Sequence, residues 1–245
     1  MKTHISPTYD TLSRQAADFI ADYVRQKPAS FICVTSGDSP TGTYAYLAAY
    51  AQAGEVDFSQ CRFVGLDEWM GMGPSDEGSC SHQLLTRFFG PAQIRAEQYV
   101  LFDATAPDMA AECQKMNDYI RQHGPLDLML VGIGVNGHIG LNEPGVSFDL
   151  YAHVSELHPT TKAVGQKYFQ RETPLEHGVT LGLRHLLAAR VAILFANGAK
   201  KTDIVARALQ GEVTNEVPAS ILQRHPEAHI FLDEAAAAGL KQEKK

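Results

Sequence analysis

The sequence of 245 residues carries little positive charge for its size. It contains 21 Lys and Arg residues against 28 Asp and Glu, which gives a formal net charge of −7 at neutral pH. A protein that binds nucleic acid through its phosphates needs a basic surface, so we expect no nucleic-acid partner. The acidic balance still permits an anionic small molecule, because a phosphate site needs only a few local hydrogen-bond donors.

Long hydrophobic runs are also absent. No apolar stretch approaches the ~20 residues that span a bilayer, and the N-terminal segment MKTHISPTYDTLSRQ lacks the apolar core of a signal peptide. The four cysteines form no C-x-x-C pair and show no repeated spacing, which favours free thiols. We therefore expect a cytoplasmic protein that does not associate with membranes.

Short apolar runs recur along the chain, and segments with helical spacing of apolar residues lie between or before them. The runs are SFICV (30–34), RFVGL (62–66), LDLMLV (126–131), VAILFA (191–196) and AHIFL (228–232). The amphipathic segments include 11–25, 81–89, 108–122 and 200–209. Continuous apolar runs of this length are typical of strands buried on both faces. The alternation predicts an α/β fold, a single doubly wound, mostly parallel sheet with helices on both faces (Rossmann-like), with residues 1–245 as one domain.

Three loops of such a fold are candidates for a ligand site, because ligands of doubly wound sheets bind beyond the carboxyl ends of the strands. They are residues 35–43, 66–80 and 132–145. The third, GIGVNGHIGLNEPG, matches the pattern G-x-G-x-x-G of dinucleotide-binding proteins. Pro144 and the polar residues before it interrupt the helix that this motif requires, so we do not expect a nucleotide.

His138 and Glu143 are the residues of this loop that point to catalysis. A carboxylate that orients an imidazole is a recurrent acid–base unit, and the glycine-rich segment can bend back to join them. The alternative is a hydrogen-bonded turn histidine beside a capping glutamate. A metal site is disfavoured because the motif H-E-x-x-H is absent and the other histidines are scattered.

The other two loops offer an anion site and a base. SGDSPTGT (36–43) joins a strand to a helix start, where backbone N–H groups and the helix dipole attract anions. An ordinary turn is the alternative, and Asp38 would repel a phosphate unless its side chain pointed away. Asp67 and Glu68 follow a strand, where partial burial can raise a carboxyl pKa, although a solvated pair or a helix cap fits equally well. Lys201, in NGAKK, lies where a strand gives way to a helix.

Together these motifs resemble the glucosamine-6-phosphate deaminase/isomerase family. The matching segments are SGDSPTGTY, FVGLDEWMGM, GIGVNGHIGLNEPG, GVTLGLRHLL, NGAKK and VPASILQRHP, in the family's order and spacing from about residue 30 to 232. LDEW, GSCS and GLNEPG are similar to the galactosamine-6-phosphate isomerase branch. The resemblance implies conversion of glucosamine- or galactosamine-6-phosphate to a ketohexose 6-phosphate and ammonia, with no metal and no organic cofactor.

The resemblance also implies a role for each candidate residue. Asp67 would be the base that moves a proton between C2 and C1 of the open-chain sugar. His138, oriented by Glu143 and supported by a hydrogen bond from Asn136, would help to open the pyranose ring at O5. The residues that would hold the phosphate are Ser36, Gly37, Ser39, Lys167 and Lys201. Family members often have Arg in place of Lys167, and small residues in place of Asp38.

Two other functions remain open from the sequence. A 6-phosphogluconolactonase shares the fold and a G-x-G-x-x-G-H loop, but Glu143 stands where its pattern is typically apolar. A non-catalytic sugar-phosphate sensor usually carries a DNA-binding module, for which 245 residues leave no room. Some family members bind an allosteric amino-sugar phosphate through basic residues, whereas the corresponding stretch 146–158 has no Lys or Arg. We therefore expect hyperbolic kinetics, and assembly into a homo-oligomer stays open.

Overall fold

The computed structural model describes residues 1–241, in which there are ten β-strands and eight α-helices. The strands are β1 Lys2–Ser6, β2 Phe31–Val34, β3 Arg62–Gly65, β4 Asp67–Trp69, β5 Tyr99–Val100, β6 Leu128–Gly132, β7 His153–Glu156, β8 His177–Thr180, β9 Val191–Ala196 and β10 Ala228–Asp233. The helices are α1 Tyr9–Gln26, α2 Thr41–Gln52, α3 Cys80–Leu84, α4 Met109–His123, α5 Pro159–Gly165, α6 Leu183–Ala188, α7 Thr202–Gln210 and α8 Glu234–Ala237. Residues 242–245, which the single-domain prediction includes, lie outside the described residues.

Seven strands form one parallel sheet in the order β1-β10-β9-β6-β2-β3-β5. Every neighbouring pair in it is parallel. The predicted α/β fold with a doubly wound, mostly parallel sheet is thus confirmed, and all five apolar runs are strands of it. Two edge strands were not predicted from the sequence. β1 (KTHIS) is mostly polar and exposed, and β5 has only two residues, so neither gives an apolar run.

Both faces of the sheet are buried, which explains the unbroken apolar runs. In β6, Leu128 and Leu130 join the core that α1 and α2 cover. Met129 and Val131 join the opposite core, with side chains from α4, α6, α7 and α8. Each fully buried Leu, Val or Met contributes ~1.5–3 kcal/mol to stability. No helix within residues 1–241 is long and apolar enough to cross a membrane.

A second, smaller sheet of three antiparallel strands, β4-β8-β7, was not predicted. β4 follows β3 after a single residue, so the sequence gives no sign of a change of sheet. β7 alternates between half-buried and exposed residues and lacks a continuous apolar run. The pairing of β4 with β8 places Asp67 opposite Thr180.

The order of the large sheet determines where a ligand can bind. From β2 the chain continues into the neighbouring β3, whereas from β6 it continues to β9 and β10 on the other side. A crevice forms where the direction of winding reverses, and ligands of doubly wound sheets bind there. The loops after β2 and β6, which include residues 35–40 and 133–145, therefore lie side by side.

Candidate active site

A cavity of about 160 Å³ lies at this crevice. Seven of the nine predicted site residues line it, namely Ser36, Gly37, Ser39, Asp67, His138, Lys167 and Lys201. The other two, Asn136 and Glu143, contact His138. The structure thus brings all nine residues together from the ends of β2, β3, β6 and β9 and from the turn after α5.

The imidazole of His138 is held through one of its ring nitrogens. Its Nδ1 lies 3.4 Å from Oε2 of Glu143 and 3.1 Å from the hydroxyl oxygen of Thr161 on α5. Asn136 donates from Nδ2 to the same Glu143 oxygen over 2.9 Å, and its Oδ1 accepts from the backbone amide of His138. Within residues 1–241, Nε2 has no hydrogen-bond partner, so this nitrogen is free to meet a ligand.

Glu143 is arranged to carry a negative charge at neutral pH. Burial acts to raise its pKa, but the hydrogen bond from His138 and the charge of that imidazole, with further hydrogen bonds from Thr161 and Asn136, leave the pKa below its usual value. A charged carboxylate beside Nδ1 favours a proton on that nitrogen. With the proton on Nδ1, the lone pair of Nε2 is available to take up a proton at the cavity and to release it again, as acid–base chemistry requires.

Two glycines allow the loop to pack around this histidine. A Cβ on Gly134 would lie 2.3–2.5 Å from three ring atoms of His138, so the ring rests directly on the backbone. Gly140 has φ +58°, and a Cβ there would lie 2.7 Å from the hydroxyl oxygen of Thr180. Only glycine fits such positions without strain. Packing against His138 therefore accounts for Gly134, and packing against Thr180 accounts for Gly140, in a loop that resembles a nucleotide motif.

Asp67 presents a carboxyl group with a shifted pKa to the cavity. Its Oδ1 is shielded from solvent and has no hydrogen-bond partner among residues 1–241. Burial, and secondly the charge of Glu68, raise the pKa of Asp67 to about 7, while the Cys80 thiol acts in the opposite direction. A carboxyl group with a pKa near neutrality can both take up and release a proton at pH 7.

Glu68 has a different environment although it is the next residue. It is buried and accepts hydrogen bonds from the backbone amides of Trp69, Cys80 and Ser81 and from the Ser81 hydroxyl, over 2.6–2.9 Å. Burial, only partly offset by these four donors, leaves the pKa of Glu68 above its usual value. The sequence left a catalytic pair and a helix cap as alternatives. The structure makes Glu68 the cap that ties β4 to α3, and turns Asp67 to the cavity.

The loop after β2 presents backbone amides at the N-terminus of α2. The amides of Ser36, Asp38 and Ser39 have no hydrogen-bond partner in the described part of the chain. The amide of Gly37, which has φ +98°, already donates to the side-chain oxygen of Gln83 over 3.1 Å. Free amides at the start of a helix favour an anion.

Two lysines approach this loop. Lys201, in the turn Ala199–Lys201 after β9, donates to the carbonyl oxygen of Ile133. Burial, with the nearby charge of Lys167, lowers the pKa of Lys201 to about 8. Lys167, in the turn Gln166–Tyr168 after α5, donates from Nζ to Oδ2 of Asp38 over 2.7 Å. The side chain of Asp38 thus points to Lys167.

Sequence reasoning named Lys167 but missed the rest of the segment that covers the cavity, which is α5 and the turn after it. Thr161, Val164 and Tyr168 of this segment line the cavity. Pro159 at the first helical position, after a capping histidine, is a recognisable helix start. Nothing in the sequence places Thr161 against His138, however.

No three His, Cys, Asp or Glu side chains of residues 1–241 are grouped as ligands for a metal ion.

Comparison with known sequences identifies related proteins over most of the chain. Residues 7–231 match the family of glucosamine-6-phosphate isomerases/6-phosphogluconolactonase. A glucosamine-6-phosphate deaminase from Lachnoclostridium phytofermentans is 38% identical over 233 residues, which cover 94% of this chain and 98% of that protein. One from Bacillus velezensis is 34% identical and covers 94% and 96%.

Solved structures agree with this relationship. A monomeric glucosamine-6-phosphate deaminase that is 31% identical matches with a TM-score of 0.94 and covers 98% of this chain and 100% of that chain. The 6-phosphogluconolactonase of Trypanosoma brucei, 20% identical, has a TM-score of 0.76 and covers 98% of each chain, which shows a shared fold. The protein belongs to the family of glucosamine-6-phosphate isomerases and 6-phosphogluconolactonases.

Proposed function

We propose that the protein is a hexosamine-6-phosphate deaminase, which converts a 2-amino-2-deoxyhexose 6-phosphate to a ketohexose 6-phosphate and ammonia. The observation that carries this proposal is the pairing, in one cavity, of a carboxyl group with a pKa of about 7 and an imidazole oriented by a carboxylate. Lactone hydrolysis does not need both groups. Relatives named glucosamine-6-phosphate deaminase, at 31–38% identity, support the proposal.

Ring opening is the task we assign to His138. The pyranose opens when the proton of the anomeric hydroxyl is removed and O5 is protonated. Nε2 of His138 serves this exchange, because it has no hydrogen-bond partner among residues 1–241 while Nδ1 is held by Glu143 and Thr161. Glu143 fixes the orientation of the imidazole through its contact with Nδ1, and Asn136 keeps that carboxylate in place through its 2.9 Å hydrogen bond.

Asp67 then moves a proton along the open chain. As a carboxylate it removes the proton from C2 while O1 gains a proton, which gives an enolamine. It then returns its proton to C1 while the amino group loses one, which gives an imine at C2 and, in effect, moves a second proton from nitrogen to O1. Water hydrolyses the imine to the ketone and ammonia. The raised pKa of Asp67 makes it a stronger base than an ordinary carboxylate and lets it hold the proton between the two steps.

The phosphate supplies binding energy that positions C1 and C2 against Asp67. In this proposal it is held by the loop Ser36–Ser39, which includes Gly37, and by the ammonium groups of Lys201 and Lys167. The free amides of the loop and the N-terminus of α2 support this placement. The scheme requires no metal and no organic cofactor.

We place the enzyme in the cytoplasm, without a nucleic-acid partner. The four cysteines are all buried and unpaired, which suits a reducing compartment. The net charge of −7 disfavours binding to nucleic acid. A monomer is the state we propose, because the solved deaminase with a TM-score of 0.94 is monomeric.

The direct test is to measure ammonia release from glucosamine-6-phosphate and galactosamine-6-phosphate, and acid release from 6-phosphogluconolactone. We expect ammonia from at least one amino sugar. Asp67→Asn should lower kcat by a factor on the order of 10²–10⁴ with KM nearly unchanged, since a general base contributes that much. Asp22→Asn, a matched change on the surface of α1, should have no effect. Acid release from the lactone without ammonia release would refute the proposal.

A further inference from the structure

Asp38 is the one carboxylate of the phosphate loop, and the mechanism above does not use it. Its Oδ2 lies 2.7 Å from Nζ of Lys167, and its Oδ1 lies 3.7 Å from Nη1 of Arg87. Arg87 in turn donates to the hydroxyl of Thr41. Asp38 thus stands between two cations at the entrance of α2, where a phosphate would also be bound.

The pair of Asp38 and Lys167 joins the phosphate loop to the turn that covers the cavity. Lys167 lies over the ring of Tyr168, with Nζ 4.8 Å from the ring centroid. The Tyr168 hydroxyl would lie 3.4 Å from a Cβ on Gly37, so this turn rests on the loop. Both members of the ion pair line the cavity, and a ligand phosphate at the loop would meet both.

The exposure of this pair argues against a role in stability. The side chains of Asp38 and Lys167 are 60% and 49% exposed, and exposed ion pairs of this kind contribute ~0–1 kcal/mol. A carboxylate next to a phosphate is repulsive. Asp38 therefore weakens the phosphate binding that the free amides of its own loop favour, unless its carboxylate acts on a neighbouring cation.

We propose that Asp38 competes with the phosphate for Lys167. Its carboxylate forms an ion pair with the Lys167 ammonium until a phosphate displaces it. The inference rests on the proposed phosphate site. It makes Asp38 a residue that sets the affinity for phosphate monoesters, because a phosphate must compete with the Asp38 carboxylate for the Lys167 ammonium. Lys201 is held instead by a backbone carbonyl and does not face this competition.

Calorimetric binding of inorganic phosphate tests this without any reaction. In Asp38→Asn the dissociation constant should fall at least threefold at low ionic strength, because Lys167 is released and a repulsive charge is lost. The gain should shrink at high salt, which screens exposed charges. Asp22→Asn should bind as the native protein does, and unfolding temperatures should match.

A double variant separates competition from simple repulsion. Lys167→Met should weaken phosphate binding, and adding Asp38→Asn to it should give a clearly smaller gain than the same change gives in the native protein. Equal gains in the two backgrounds would mean that Asp38 only repels phosphate, and would overturn the inference. Unchanged or weaker binding by Asp38→Asn would overturn it as well.

The outcome is distinct from failure of the proposed function. If no amino sugar releases ammonia but Asp38→Asn still tightens phosphate binding in the Lys167-dependent way, the inference stands and the deaminase assignment falls. If neither the native protein nor the variant binds phosphate, the phosphate site falls and the inference with it.

Discussion

At the scale of single residues, two neighbouring carboxylates have opposite environments. Asp67 has a shielded oxygen without a partner, whereas Glu68 accepts four hydrogen bonds. In the sequence the two are hardly distinguishable, since both are acidic residues that directly follow a strand. Their difference arises from the N-terminus of α3, which folds back onto Glu68. The residue pattern alone therefore predicts a functional carboxylate here without choosing between the two, whereas the family resemblance singled out Asp67.

The charge of Glu68 should be visible in the pH profile of the enzyme. Asp67 works as a base only when ionised, so kcat/KM should rise with pH through about 7, the pKa of Asp67. It should fall again above about 8, the pKa of Lys201, as that phosphate-binding ammonium loses its proton. Glu68→Gln removes a negative charge that raises the pKa of Asp67, and the acid limb should move to lower pH. The measurement is kcat/KM between about pH 5 and pH 9 for both proteins.

A matched control for this prediction is Glu97→Gln, because Glu97 is exposed and paired with Arg95. The profile of this variant should coincide with that of the native enzyme. The loss of hydrogen bonds to α3 will also lower the unfolding temperature of Glu68→Gln, but the position of the acid limb does not depend on how much protein is folded. An acid limb that stays in place or moves upward would contradict the assigned role of Glu68.

At the scale of elements, burial on both faces decides what the sequence can predict. Strands such as β6 and β9 are buried throughout, so their apolar runs identify them directly. β4, β7 and β8 have three or four residues each, and they pair in a small sheet that gives no such run. The segment over the cavity, α5, was missed because its contribution to the site is one contact, between Thr161 and His138, which are 23 residues apart in the chain.

That contact yields a prediction for α5. Thr161→Val keeps the shape of the side chain and removes the hydroxyl that lies 3.1 Å from Nδ1 of His138. A hydrogen bond of this type is worth ~1 kcal/mol, so kcat should fall roughly fivefold with little change in KM. Thr3→Val on the exposed strand β1 is the control and should behave as the native enzyme. An unchanged kcat in Thr161→Val would mean that α5 does not help to orient the imidazole.

At the scale of the whole molecule, the reversal of winding between β2 and β6 assembles the site from distant parts of the chain. The sequence predicted which loops take part, because the carboxyl ends of parallel strands share one edge. It could not predict the direction of the Asp38 side chain, since that depends on Lys167, 129 residues away. Local sequence pattern thus indicates the strands, helices and loops, whereas ion pairs between residues far apart in the chain are seen only in the folded structure.

The charge distribution of the molecule also predicts its kinetics. Residues 146–158, which include β7, contain no Lys or Arg to bind an anionic effector. We expect hyperbolic dependence of the initial rate on substrate, unchanged by N-acetylglucosamine 6-phosphate. Initial rates measured with and without this compound provide the check, and a sigmoidal curve or clear activation would show an effector site elsewhere in the molecule.

The account depends most on proton transfer by Asp67, and substrate deuterated at C2 tests that step directly. NMR can follow the loss of the C2 deuterium during turnover of whichever amino sugar phosphate releases ammonia. The native enzyme should remove it, with turnover slower than for the undeuterated sugar. Asp67→Asn should bind the substrate but leave the deuterium in place. Loss of deuterium at a near-native rate in Asp67→Asn would contradict the account.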